Sequence, residues 1–405
     1  MEQYVEPEYG ENSLVEVPGT ICSLLDVETE LSELSSSKFE SVDTEVENVI
    51  FILIDAFGNK QWESFGKGTF QEIESKGKVT SITSTFPSMT PATLTTLSTG
   101  LQPIEHGLLG WEMYFNEIDE KLLTLPFTTS DWEDPKEALD KEVNPEILFE
   151  GNSIYKKLEE NGVNVFSVLN KDISDSRYTE LSHKGSEVIP ALNVADSMLK
   201  TRRKLENEGK TYVYNYVSEV DTIDHRKGPM TEDETNQLKM ISDSIRRNLV
   251  NELEEEIAEK TLLLISADHG QIIEEGKTDL MKFEKVQRCL KKDSEGDTIT
   301  PCGGGRSIFL HIQEEKVSEL QKFLKEEINA RVLKTEEAVE KNLFGDKPSG
   351  QKFYDRAGEL VIIPNGREVY WHNTEEIEQI GYHGGLNPQE MNIPFAAVKL
   401  ADLKK

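Results

Sequence analysis

Three short apolar runs constrain this chain more than anything else in it: Val49 to Ile54, Tyr212 to Val217, and Leu262 to Ala267. Each is far shorter than the roughly 18 to 20 apolar residues of a membrane span, and runs of this length read as buried strands. Asp55 ends the first run, Asp221 and His225 follow the second, and Asp268-His269 closes the third, where Gly270 marks the turn. Charged or ligating side chains therefore stand at the lip of a sheet, where open α/β sheets place their active sites.

The segments between these runs alternate between strand and helix. Val79 to Thr83 is a short strand candidate, Pro91 to Leu97 opens a helix with Pro in its first turn, and Val165 to Leu169 is a further strand. Thr231-x-x-Glu234 forms a capping box, after which Leu238, Ile241, Ile245, Leu249, Leu253 and Ile257 make one buried stripe. That helix leads into the Asp268-His269 strand, and strand, helix, strand in that order implies a right-handed parallel crossover. The fold class is α/β, with a mostly parallel central sheet flanked by helices on both faces. Before residue 45, Leu24, Leu25, Val27 and Leu31 suggest one short helix.

Between 272 and 375 the pattern changes to a small α+β insertion or cap: a strand from Arg306 to Ile312, an amphipathic helix on Val317, Leu320, Leu324 and Ile328, and a strand from Glu359 to Ile363 ending at a Pro-Asn-Gly turn. The expected organisation is one domain over 1–405 with the 272–375 insertion inside it.

The balance of 44 basic against 76 acidic residues gives a net charge of −32. Such a surface repels nucleic-acid polymers and anionic membranes. It fits either solubility by self-repulsion or a cell interior rich in salt, where the repulsion is screened. The start of the chain has neither the basic nor the apolar region of a secretory signal, and Cys22, Cys289 and Cys302 form neither a disulfide framework nor a zinc-finger pattern. The expected location is the cytoplasm.

Asp55, Asp221, His225, Asp268, His269 and His383 combine carboxylate oxygen with imidazole nitrogen, the donor mixture of Zn²⁺ and also of Mn²⁺ or Fe²⁺. They exceed the roughly three protein ligands of one catalytic zinc, so two divalent ions are the natural count. Four positive charges against three carboxylates leave such a site able to attract an anion. Thr90, just before Pro91, falls at a helix N-terminus, where free N–H groups favour negative charge. A metal-bound hydroxyl there can lose its proton near neutral pH and attack phosphorus; the plainer alternative is an ordinary cap at Thr90 or Ser88.

Taken in order, Asp55, Phe86-Pro87-Ser88-Met89-Thr90, Leu97-Ser98-Thr99-Gly100-Leu101-x-Pro103-x-x-His106-Gly107, Asp221-x-x-x-His225, Asp268-His269-Gly270 and His383-Gly384-Gly385 resemble the alkaline phosphatase superfamily in its type I phosphodiesterase/nucleotide pyrophosphatase branch, and most of all its prokaryotic, signal-less members. Pro7-Glu8-Tyr9-Gly10 and Leu343-Phe344-Gly345 extend the resemblance over nearly the whole chain. It implies an alkaline phosphatase-like fold and two zinc-like ions. Asp221, His225 and His383 would hold one, and Asp55, Asp268, His269 and Thr90 the other. Thr90 would attack in line and form a phospho-threonine, which water then hydrolyses.

The chain departs from that pattern where nucleotide pyrophosphatases carry an Asn after the His-Gly motif: here the position holds Trp111. Trp111 or Tyr114 could stack on a flat leaving group or pack beneath the insertion. Arg306, after Cys302-Gly303-Gly304-Gly305, could reach a substrate phosphate or anchor a loop. By the resemblance His106 sits in a structural turn, with a packing or hydrogen-bonding role, while His183, His311 and His372 lack ligand spacing and read as surface or core residues. The expected substrate is a small anionic phosphoester, and a nucleotide is one candidate. By the resemblance, Thr rather than Ser at 90, and Pro rather than Arg at 91, favour diesters. A phosphomonoesterase, phosphonate hydrolase or phosphotransferase is the rival reading, and a catalytically silent metal-binding module the remote one. A sulfatase is disfavoured because the nucleophile motif contains no Cys.

Overall fold

A computed structural model describes residues 4–129, 143–374 and 378–404. Its central sheet has the strand order Lys78–Thr83, Asn392–Lys399, Thr261–Ser266, Asn48–Ile54, Thr211–Val217, Asn164–Asn170, Glu187–Ala191. The last five of these run parallel to one another, and only Asn392–Lys399 is antiparallel to its neighbours among the described residues. Every position of Asn48–Ile54, Thr211–Val217 and Thr261–Ser266 is buried, as expected of parallel strands covered on both faces by helices. That is why they read as near-continuous apolar runs rather than as alternation.

Parallel strands end on the same edge, so Asp55, the segment after Val217 and Asp268 emerge side by side. The reversed strand begins where its neighbours end: Asn392 pairs with Thr83, and Phe395 with Ser266. The segments before it, with His383, and after Thr83, with Thr90, therefore reach the same edge. A two-stranded ribbon pairs Ile272 with Tyr382 and joins the Asp268-His269 segment to the one carrying His383.

A second, antiparallel sheet runs Ala330–Lys334, Leu360–Pro364, Ser307–Leu310, Cys302–Gly304, Glu112–Phe115, Glu120–Leu123, Thr128–Thr129. Its last three strands come from before residue 130, so segment 272–375 does not make this sheet alone. The junction is the pairing of Gly303 with Glu112. It depends on Gly110, where a Cβ would lie 2.5 Å from the Gly303 Cα.

Two helical expectations shift. In the first 45 residues the helix is Glu16–Leu24, upstream of the Leu24–Leu31 segment. Gly19 permits this by close approach, since a Cβ there would stand 2.1 Å from the Ser32 carbonyl oxygen. The long helix after Thr231 is α-helical over Glu232–Ser244, widens to a π-helix over Ile245–Val250, and resumes as Glu255–Glu259 after a break. Leu238, Ile241, Ile245, Leu249 and Leu253 all remain buried, so the apolar stripe survives the break. Thr231 does accept from the Glu234 amide at 3.3 Å, but the Glu234 carboxylate turns to the Met230 amide instead of completing the box. Among the described residues, no helix is long and apolar enough to cross a membrane.

Candidate active site

Asp55 leaves the sheet directly into a turn whose next residue, Ala56, takes a left-handed φ of +63°. This is an uncommon conformation for a residue with a side chain. It aims the Ala56 amide at Asp268, whose Oδ1 accepts from Ala56 at 3.2 Å and from the His269 amide at 3.0 Å. Asp55 is held in the same way: its Oδ2 accepts from the Tyr216 hydroxyl. Each carboxylate thus has one oxygen fixed and one turned inward. Asp55 Oδ1 lies 3.4 Å, and Asp268 Oδ2 3.1 Å, from His269 Nε2.

The three histidines are oriented by a shared device. His269 Nδ1 is 3.1 Å from the Gly270 carbonyl, His225 Nδ1 2.8 Å from that of Gly381, and His383 Nδ1 3.0 Å from that of Ser88. Donation from Nδ1 leaves each Nε2 as the ligating nitrogen. Asp221 sits in the first turn of the helix Glu219–Lys227 with His225 one turn on. Its Oδ1 is 3.2 Å from His225 Nε2 and 3.8 Å from His383 Nε2. The His269 and His383 rings stack with centroids 3.6 Å apart. Gly270 is required by space, because a Cβ would lie 2.0 Å from the Gln389 carbonyl oxygen.

Thr90 opens the helix Thr90–Thr99, with Pro91 in its first turn and Gly100 closing it at φ +73°. Its Oγ1 is 3.1 Å from His269 Nε2, so the candidate nucleophile and the six candidate ligands share one cluster. Among the described residues, the tightest ligand groupings are Asp55, Asp268 and His269, and Asp221, His269 and His383, with donor atoms within 4.8 Å in each. His269 therefore stands between the two halves instead of belonging to one alone.

Asp55 Oδ1, Asp221 Oδ1 and Asp268 Oδ2 are buried without any hydrogen-bond partner. Burying bare anionic oxygens is costly, and electrostatics carry the mark of it. Burial, then the charges of Asp268 and Asp221, raise Asp55 well above the usual carboxylate range. Burial likewise raises Asp221. At Asp268 the His269 charge and hydrogen bonds outweigh burial and pull the carboxyl down, while Asp268 raises His269 despite its burial. Burial, with His269 and His225 beside it, holds His383 well below its ordinary value. Inward carboxylate oxygens and imidazole Nε2 atoms are a donor set that divalent cations satisfy, and the residues fit zinc or manganese.

The structure leaves two of the substrate-binding candidates elsewhere. Arg306 is fully buried: its Nε and Nη2 lie 3.2 and 2.8 Å from the Glu390 carboxylate, and Nη2 donates to the Gly366 carbonyl at 2.9 Å. Glu390 also accepts from the Gly385 amide at 2.8 Å, so Arg306 braces the loop that carries His383. Tyr114 is buried, donates to Asp119, and packs edge-on against His311. Trp111 is exposed, with its amide on the Gly303 carbonyl at 3.0 Å. Neighbouring Gly304 packs on Met89, the residue before Thr90, so the strand that Trp111 pairs with runs beside the nucleophile's segment. His106 is internal, with Nδ1 accepting from the Leu108 amide and Nε2 beside Thr96 Oγ1, both at 3.1 Å. Tyr216, the Ser88 carbonyl and the Arg306–Glu390 pair had no sequence signal, because each acts across a turn or between distant segments.

A mostly parallel α/β sheet with this cluster at its strand ends defines a hydrolase scaffold of the alkaline phosphatase kind. The chain belongs to the type I phosphodiesterase/nucleotide pyrophosphatase family, whose pattern matches residues 49–386. Members of that family are phosphoester hydrolases that depend on metal. Murine ectonucleotide pyrophosphatase/phosphodiesterase 5 superposes with a TM-score of 0.62 at 18% identity, over 86% of this chain and 87% of that one. An inactive form of that protein has been solved in complex with AMP. Phosphonoacetate hydrolase from Sinorhizobium meliloti 1021, in complex with phosphonoacetate, superposes with a TM-score of 0.60 at 15% identity, over 88% of this chain and 92% of that one. No curated protein sequence matches the chain.

Proposed function

We propose that the protein hydrolyses phosphodiester or nucleotide pyrophosphate bonds through Thr90. The observation that carries this is the position of Thr90 Oγ1, at a helix start and 3.1 Å from His269 Nε2, beside inward carboxylate oxygens that have no protein partner. Asp221, His225 and His383 would hold one divalent ion, and Asp55, Asp268 and His269, with Thr90, the other; zinc suits the donors, and manganese is the alternative. When bound, such ions supply positive charge that favours the ionised hydroxyl and offsets charge on the phosphoryl oxygens.

Thr90 Oγ forms a bond to phosphorus as the bond to the leaving-group oxygen breaks, and that oxygen departs with the electron pair. The phospho-threonine is then cleaved by water, which returns the hydroxyl to Thr90 and releases a phosphate monoester. The N-terminal dipole of the Thr90–Thr99 helix favours the negative charge that develops at Oγ. Pro91 supplies no guanidinium beside the phosphoryl group, which supports a diester over a monoester dianion. The exposed Trp111 offers a flat surface for a leaving group such as a nucleobase.

The test is turnover of bis-p-nitrophenyl phosphate against p-nitrophenyl phosphate by protein loaded with Zn²⁺ or Mn²⁺. The diester is expected to win, and Thr90→Ala to lose about a thousandfold or more in kcat while still binding metal. A fully active Thr90→Ala variant would place the nucleophile elsewhere, and cleavage of phosphonoacetate alone would favour the phosphonate-hydrolase reading.

A further inference from the structure

Away from the ligand cluster, one hydroxyl ties together three stretches of chain that lie far apart in sequence. Tyr9 donates to the Leu343 carbonyl at 2.9 Å and accepts from the Phe86 amide at 3.3 Å. We propose that Tyr9 is a positioning residue for the reaction, holding segment 86–89 so that Thr90 stands at the right distance from the reacting phosphorus. This inference rests on Thr90 as the nucleophile.

The first argument is the course of the strap formed by residues 5–14. Its Asn12 carbonyl accepts from the Thr83 amide at 2.9 Å, its Leu14 amide donates to the Thr83 carbonyl at 2.8 Å, and its Glu8 amide donates to the Thr83 hydroxyl at 2.9 Å. At its other end the Val5 amide donates to the Leu386 carbonyl at 3.0 Å. The strap therefore touches both segments that lead to Thr90 and His383. Buried Glu16 locks it, accepting from the Gly10 amide at 2.9 Å and from the Ser13 amide and hydroxyl, both at 2.8 Å.

The second argument is Phe86 itself. Its amide has no other acceptor among the described residues, and its ring packs on that of Phe344, beside Leu343, with centroids 5.2 Å apart. Burial raises the Tyr9 pKa well above its ordinary value, so the hydroxyl keeps its proton and can donate and accept at once. Between Phe86 and Thr90, the Ser88 hydroxyl donates to the Gly385 carbonyl at 2.9 Å, and the Ser88 carbonyl lies 3.0 Å from His383 Nδ1. A shift at Phe86 is thus passed on to the nucleophile, and misplacing a reacting group by about 1 Å costs about a hundredfold in rate. Asp55, Asp221, His225, Asp268 and His269 stand on other segments, so metal binding should be spared.

The test is Tyr9→Phe, which removes one oxygen and keeps the ring, assayed as metal-loaded full chain on bis-p-nitrophenyl phosphate well below its melting temperature. kcat is expected to fall about tenfold or more, with KM and Zn²⁺ affinity within about twofold of wild type. Glu6→Ala breaks an exposed pair with Arg331 near the start of the strap and should keep the wild-type kcat. The inference is overturned if Tyr9→Phe turns over at the wild-type rate, if its loss falls in KM alone, or if Glu6→Ala loses as much. Thr90→Ala separates this from the reading beneath it. A fully active Thr90→Ala removes the nucleophile, whereas an inactive Thr90→Ala beside a fully active Tyr9→Phe removes only the role of Tyr9.

Discussion

Tyr216→Phe is the sharpest probe of how the site is held, because it removes one oxygen and keeps the ring. The Tyr216 hydroxyl stays protonated at any working pH, since burial and the charge of Asp55 raise its pKa well above the ordinary value. It is therefore a donor, and Asp55 Oδ2 is its acceptor. Asp55 is 2% exposed, so bulk water cannot replace the lost donor. Hydrogen bonds to charged groups contribute about 1.5–3 kcal/mol, and loss of a residue that orients a metal ligand costs about 10- to 100-fold in metal affinity. A cavity of about 10 Å³ borders Tyr216, beside Asn170, Asn193 and Ser197. That is room for at most one water, which would bring the loss to the lower end of the range. The assay is Zn²⁺ competition against a chromophoric chelator, with thermal melts of the apo protein as a control for folding. A melting temperature close to wild type with affinity reduced about tenfold or more is expected. Affinity within twofold of wild type would refute the claim that this hydroxyl holds Asp55 in place.

Four further outcomes follow from the same geometry. Arg306→Met leaves Glu390 charged, buried and unpaired, and should cost about 3–5 kcal/mol in chemical denaturation, whereas a loss below 1 kcal/mol would show that the brace is dispensable. Gly270→Ala places a methyl 2.0 Å from the Gln389 carbonyl oxygen, so a drop of at least about 2 kcal/mol in stability is expected; unchanged melting would contradict the close approach. Burial depresses His106 and His183 to about 3, and burial with nearby cations does the same to His311. Their folded values lie below the unfolded value near 6.5, so the unfolded chain takes up protons first. Stability should therefore be lost as pH falls from about 6.5 toward 3, by roughly 2 kcal/mol per histidine at pH 5. A melting temperature flat between pH 7 and 5 would count against three neutral buried histidines. Chelation should abolish turnover and also lower the melting temperature, because it bares the inward oxygens of Asp55, Asp221 and Asp268; a chelator that stops turnover without moving the melt would mean that the ions add nothing to the fold.

How much of this was legible in the sequence depended on whether a residue's role is fixed by the strand it leaves. Asp55, Asp268 and His269 end buried parallel strands, and Asp221 and His225 share one face of a helix at a four-residue spacing, so their convergence follows from chain direction alone. His383 was readable only through its motif, since it reaches the edge by a reversed strand and a two-residue ribbon. Arg306 and Tyr114 were each left with two readings, substrate contact or a structural role, for the opposite reason. A guanidinium after three glycines and a ring on a short strand advertise chemistry, yet what each does is set by a contact far along the chain, Glu390 for one and His311 for the other. The second sheet escaped the 272–375 boundary because one pairing, Gly303 with Glu112, joins strands almost two hundred residues apart. Glu112, Lys121 and Glu120 give its first strands the look of a polar loop. Local periodicity reports burial, and burial is what parallel strands share along their length; pairing between distant segments is a property of two stretches at once, which no single window of sequence contains. The same logic separates the parts of the site. Ligands at strand ends can be read one element at a time, whereas the groups that aim them, Tyr216 at Asp55 and the Ser88 carbonyl at His383, exist only once the elements have been brought together.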